Sequence, residues 1–155
     1  RKIEVTKEQL YSVYLPLFKK VEPHLYKDVS TEFIKTFTDV FDKIKSKHYE
    51  LIDPNLIYLF KLITQRINDG KDFSEQYEDI CYCIDKNFEK SRKLLSLPTR
   101  GVFYKLNNQQ FPKDTVKAID EFINNLVSPL ILLLFGFFLF ESIKFVADIF
   151  KKIVY

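Results

Sequence analysis

The chain has 155 residues, 46% of them hydrophobic, enough for one compact core and too few for two ordinary domains. Three Gly and six Pro leave little material for the turns of an all-β fold, and 24 basic against 21 acidic residues, a net charge of +3, is not the basic excess of a nucleic-acid-binding domain. The apolar residues run to Phe, Leu and Ile, with sixteen Phe, nine Tyr and no Trp, a composition suited to packed helices and a greasy segment.

The N-terminal residues RKIEVTKEQL contain no apolar run of signal-peptide type. Thr6 followed by Gln9 reads as a capping box, and Leu10, Val13, Tyr14, Leu17, Phe18 and Val21 then follow the spacing of one buried stripe. This first helix is expected to end near Pro23, with a kink or early break at Pro16. The second helix is expected to start near Ser30 or Thr31 and to bury Phe33, Ile34, Phe37, Val40, Phe41 and Ile44. Lys43, Lys45 and Lys47 close it, as the helix dipole favours, and an anion-binding patch is the lesser reading of them.

Asp53 as cap with Pro54 at the first helical position opens a third helix, which Gly70 stops; Ile57, Phe60, Ile63 and Ile67 mark its buried face. The fourth helix begins after Asp72 or Ser74, turns Tyr77, Ile80, Cys81, Ile84, Phe88 and Leu95 inward, and ends at Pro98. Its carboxylates Glu75, Glu78, Asp79, Asp85 and Glu89 are expected mostly on the solvated face, with Glu89 pairing with Lys93. Cys81 and Cys83 point about 200° apart on a helix and do not bridge. With His24 and His48 isolated, no four-ligand metal set forms, and no cofactor is expected.

Residues 1–97 therefore read as a bundle of about four helices. Residues 98–112, PTRGVFYKLNNQQFP, have no helical period and read as a connector pinned to the bundle by its aromatics. The alternative is a binding loop, in which Arg100, Phe103, Tyr104, Lys105, Asn107 and Asn108 take a nucleotide or peptide.

Residues 113–155 form the third region, a hydrophobic helix with an amphipathic tail. From Phe122 to Phe140 the chain reads FINNLVSPLILLLFGFFLF, nineteen residues without a charge. At about 1.5 Å per residue these span roughly 28 Å, against a bilayer hydrocarbon core of about 30 Å. Leu126, Pro129, Leu130, Leu133, Phe135, Phe137, Phe138 and Phe140 are the residues expected to insert. Proline and glycine are tolerated in membrane helices, so Pro129 and Gly136 do not oppose that reading. The competing reading is a helix buried on all sides in a soluble bundle, for which a domain of this size has little covering surface. Beyond Glu141, Ile143, Val146, Ala147, Phe150 and Ile153 keep an apolar stripe, while Lys144, Asp148, Lys151 and Lys152 take other positions; this tail suits the lipid interface. Lysines flank the segment on both sides and do not orient it strongly.

Catalytic signatures are missing: Gly70, Gly101 and Gly136 are too scattered for a phosphate-binding loop, and there is neither a nucleophile elbow nor an H-E-x-x-H pair. A protein without enzymatic activity is the expectation. The order LYSVYLPLFKKVEPHLYKD, DPNLIYLFKLI, ICYCIDKNFEKSRKLLSLPTRGVFYKLNNQQF resembles a loosely defined group of uncharacterised proteins of low-GC bacteria with C-terminal hydrophobic segments. The resemblance covers about residues 10–111 and carries no assigned chemistry. It implies a bacterial origin and a cytoplasmic helical part facing the inner membrane. The reading favoured is an all-α, membrane-anchored binding or scaffolding module whose partners are the lipid bilayer and a protein or a second copy of itself, with nucleic acid disfavoured. The alternatives are a membrane-perturbing effector, by analogy with phage defence, and a small subunit of a larger membrane complex.

Overall fold

The computed structural model describes the backbone of residues 1–154 and the side chains of these residues except 126–128, 146–148 and 150–154. Chain contacts divide it into two units, Arg1–Pro112 and Lys113–Tyr155. Among the described residues every regular element is helical.

The first unit opens with α1 (Lys2–Glu8), a π turn (Gln9–Tyr14) and α2 (Leu15–Val21) in one continuous run. The capping box expected at Thr6 does not form. The helix starts four residues earlier, and the buried Thr6 hydroxyl donates to the Lys2 carbonyl at 2.9 Å. A threonine inside a helix satisfies its hydroxyl on the carbonyl one turn back, so the residue type alone does not distinguish cap from interior. Gln9 Nε2 instead donates to the Leu51 carbonyl at 3.2 Å.

The irregularity expected at Pro16 takes the form of the π turn. Leu15 N–H reaches back five residues to Leu10, and Pro16 follows in the first turn of α2. Proline lacks an N–H and its ring crowds the carbonyl four residues back; a widened turn ahead of it lets the helix continue. Pro129 lies just after a second π turn in the other unit, so the same solution serves twice.

After α2 the chain turns through Glu22–His24 and places Tyr26 in the left-handed region (φ 60°). Ser30 caps α3 (Thr31–His48), its hydroxyl accepting from Phe33 N–H at 3.3 Å. Asp53 caps α4 (Pro54–Asn68), accepting from Asn55 N–H at 2.9 Å. The chain leaves α4 through Gly70 at φ +66°, a value that costs glycine little. α5 (Ser74–Leu94) starts where Asp72 accepts from the backbone and hydroxyl of Ser74.

Phe37, Phe41 and Phe60 meet at the centre of the unit: the rings of Phe41 and Phe60 stack at 3.8 Å, and Phe37 meets Phe60 edge-on at 5.2 Å. Phe18 stacks on Phe88 at 4.1 Å. Such pairs add about 0.5–1.5 kcal/mol to the area they bury. On α4 the inward residues are Leu56, Leu59, Phe60 and Ile63, whereas Ile57 and Ile67, expected inside, are only partly buried. α5 packs against α1, α2, the π turn and α4. With neighbours on more than one side it buries more than a stripe, including Gln76, Cys83, Asp85 and Ser91.

The second unit is α7 (Lys113–Phe122), the π turn Ile123–Val127 and α8 (Ser128–Val154); α6 (Val102–Asn107) belongs to the first.

Candidate functional site

The connector residues pack on the first unit, and α6 supplies the helical turns that their pattern did not reveal. Their attachment is ionic rather than aromatic. Arg100, whose side chain is only 7% exposed, donates from Nε to Glu89 Oε1 at 2.6 Å, from Nη1 to Gln110 Oε1 at 2.8 Å and from Nη2 to Asp85 Oδ1. Its guanidinium lies 4.3 Å from the centroid of Phe18, itself stacked on Phe88. Lys105 Nζ reaches Asp85 Oδ2 at 3.3 Å, and Tyr26 Oη donates to the same oxygen at 3.2 Å.

Two carboxylates thus meet two cations, and each of the three Arg100 nitrogens has an acceptor. Desolvation lowers the pKa of both Arg100 and Lys105 from their ordinary values. Burial pushes the Tyr26 hydroxyl well above its ordinary range, so it stays a donor. A network matched in this way holds the segment in place. The solvated setting expected for Asp85, and the Glu89–Lys93 pair, are corrected: both carboxylates turn to Arg100, because residues 98–110 fold back over that side of α5.

The other residues proposed for the binding loop scatter. Phe103 is 83% exposed. Tyr104 is half exposed and donates from its hydroxyl to Glu22 Oε1 at 3.0 Å, which raises its pKa. Asn107 is exposed, and Asn108 Nδ2 donates to the Tyr104 carbonyl at 2.8 Å. Among the described residues, none of these four is hydrogen-bonded to Arg100. Sequence reasoning missed Gln110, 3% exposed; its only signal was an amide close to Arg100.

Cys81 and Cys83 are free thiols buried on different sides of α5. Cys81 is near Tyr77, and Cys83 accepts a weak contact from Asn87 Nδ2 at 3.5 Å. Desolvation pushes each thiol up to about 11, the opposite of activation.

The second unit has a different surface. Over Lys113–Phe145, 33 residues, the helix is long and apolar enough to cross a membrane. Its length is about 50 Å at 1.5 Å per residue. Leu130, Leu133, Phe135, Phe137, Phe138 and Phe140 are between 57% and 72% exposed, and Pro129 is exposed. The side chain of Leu126 lies outside the described residues, as do those of Val146, Ala147, Asp148, Phe150, Lys151, Lys152 and Ile153, on which the amphipathic tail rests. The charges resume in the pair Glu141–Lys144 at 3.3 Å, with Lys144 Nζ 4.5 Å from the centroid of Phe140. α7 carries Val116, Ile119 and Phe122, and the π turn Ile123, as a further exposed apolar stripe leading into this segment. No protein-family model, curated protein or solved structure matches the chain.

Proposed function

We propose that the protein is a non-enzymatic, membrane-anchored helical module. The apolar helix inserts in a bilayer, and the first unit, a bundle of about four helices, engages a protein partner or a second copy from the cytoplasmic side. The observation that carries the reading is the exposure of a long uncharged run rich in Leu and Phe on a helix of spanning length. Removing one such side chain from water is worth about 1.5–3 kcal/mol. Six or more in sequence favour a lipid environment over a solvated one by on the order of ten kcal/mol.

Fractionation tests this. The full chain should sediment with membranes, resist high salt and come out only with detergent, whereas a chain ending at Pro112 should stay soluble. The cut falls there because Gln110 is part of the Arg100 network. A full chain recovered as a soluble monomer without detergent would defeat the proposal. Exchanging residues 122–140 for an unrelated apolar helix should preserve the partner interaction, since a tether contributes mainly local concentration. Membrane depolarisation on expression, abolished by that exchange, would assign the activity to the helix itself.

A further inference from the structure

α6 is turned inside out for a segment in water. Its side-chain attachments to the rest of the first unit are polar, Lys105 Nζ to Asp85 and the Tyr104 hydroxyl to Glu22, with Arg100 and Gln110 bonded to each other just outside it. None of its residues is buried. Val102, Phe103 and Leu106 fall within an arc of about 100° on the helix, away from Tyr104 and Lys105. They are 65%, 83% and 51% exposed. No other five-residue stretch of the first unit exposes three large side chains that lack a polar group. Ion pairs thus hold in place a short helix that buries no apolar surface of its own. Single apolar residues on a surface are ordinary, and a group of three on one face is not.

Charge indicates what this face meets. Between Glu89 and Asp114 lie 24 residues with six cations, Lys90, Arg92, Lys93, Arg100, Lys105 and Lys113, and no carboxylate. Arg100 and Lys105 are occupied by Asp85 and Glu89. Lys90 and Lys93 are exposed, and Lys93 stands one turn beyond Glu89 on the side of α5 that the segment covers. A basic stretch without acids, next to a helix able to span a bilayer, suits acidic lipid headgroups. The six residues 107–112 separate α6 from that helix. At up to about 3.5 Å per residue they keep Leu106 within about 25 Å of its start, so an anchored chain holds α6 at a high local concentration of lipid. A protein partner fits the face less well. A stable interface takes about 800 Å² per partner, and three side chains, the largest a phenylalanine of about 200 Å², fall well short of it. Insertion among lipids has no such minimum and gains with each apolar group.

We infer that α6 is a second membrane contact, in which Val102, Phe103 and Leu106 enter the headgroup boundary of a bilayer carrying acidic lipids and Lys90 and Lys93 meet the lipid phosphates. Arg100 and Lys105 serve this contact only by holding the segment. The inference takes from the proposed anchoring the nearness of a bilayer, and it gives the first unit a lipid surface as a partner of its own.

The chain contains no tryptophan, so a single introduced one reports alone. Full-length Phe103→Trp, Phe137→Trp and Tyr58→Trp chains are reconstituted in vesicles of phosphatidylcholine and phosphatidylglycerol, with and without lipid brominated on its acyl chains. Phe103→Trp should show blue-shifted emission and lose most of its intensity to the brominated lipid. Tyr58→Trp, at a position 59% exposed on α4, should keep the emission of a tryptophan in water and stay unquenched. Phe137→Trp reports insertion of the apolar helix. Omitting phosphatidylglycerol, or combining Lys90→Ala with Lys93→Ala, should reduce the quenching of Phe103→Trp and leave that of Phe137→Trp as it was. Water-like, unquenched emission from Phe103→Trp beside a quenched Phe137→Trp overturns the inference and keeps the anchor. The reverse pattern keeps the contact and defeats the anchor, and no quenching at either position defeats both. A blue shift without quenching means that protein covers the face, and equal quenching of Tyr58→Trp means that the unit meets lipid without using α6; either overturns the inference. So does quenching of Phe103→Trp that is indifferent to phosphatidylglycerol, since the charge pattern requires acidic lipid.

Discussion

The two units use the same apolar residue types in opposite ways. In Arg1–Pro112 the phenylalanines Phe18, Phe37, Phe41, Phe60 and Phe88 are at most 3% exposed. In Lys113–Tyr155 the phenylalanines Phe135, Phe137, Phe138 and Phe140 are at least 57% exposed. The first unit spaces its aromatics so that several helices share them; the second concentrates them around one helix, where no described neighbour covers them. Composition therefore says how greasy a segment is, and periodicity says whether other protein can cover it.

One acidic substitution in each unit exposes the difference. Phe60→Asp places an unpaired charge between Phe37 and Phe41, and should cost about 4–5 kcal/mol or more, enough to unfold the first unit in a thermal or urea melt. Phe137→Asp should leave the melting of that unit unchanged and act on membrane partition instead, by about 2.5–3.5 kcal/mol. Equal melting of the two variants would erase the distinction between the units.

The Arg100 network refines the picture within the first unit. Arg100→Ala strands Asp85 and Glu89 and should destabilise by about 3–5 kcal/mol, as breaking a buried ion pair does. Phe103→Ala, three residues away but 83% exposed, should change stability by no more than about 0.5 kcal/mol. Urea melts of both variants measure the contrast, and a cost for Phe103→Ala comparable to that for Arg100→Ala would mean that aromatics, not charges, pin the segment.

A smaller effect comes from pH. The Cys81 and Cys83 thiols, raised to about 11 by burial, and the Tyr14 hydroxyl, raised to about 12, hold their protons longer in the folded state than in the unfolded one. A raised folded pKa contributes stability that is complete below the unfolded value and lost as pH climbs through the folded one. Melts should therefore show stability falling from about pH 9 to about pH 12. Each thiol accounts for about 2–3 kcal/mol of this at most. Removing Cys81 with Cys81→Ser should flatten the slope, and native thiol labelling should proceed only as fast as the protein opens. Rapid labelling of folded protein would contradict the burial of both cysteines.

Much of this was legible in the sequence. Ser30, Asp53–Pro54 and Gly70 mark helix boundaries through local backbone chemistry, which depends on a few neighbouring residues and so survives in any tertiary setting. The stripe of Leu10, Val13, Leu17 and Val21 is buried as its spacing implied. Thr6 was misread because capping and interior threonine differ only in what precedes them. The acidic residues Asp85 and Glu89 were misplaced for a different reason: their partners are eleven to fifteen residues away, on a segment without periodicity.

By itself the sequence determined that the described residues are helical, that helices begin near Ser30, at Asp53–Pro54 and after Asp72, and that one helix is long and apolar enough to cross a membrane. These follow from interactions within a few turns of a single chain segment. Only the tertiary structure decided that α5 is packed on several sides, that Arg100 is spent on holding 98–110 in place, and that Val102, Phe103 and Leu106 are left exposed. Those outcomes depend on which helices become neighbours. Residues far apart in sequence come together there through packing, and neither a capping residue nor an apolar period encodes which charge will face which.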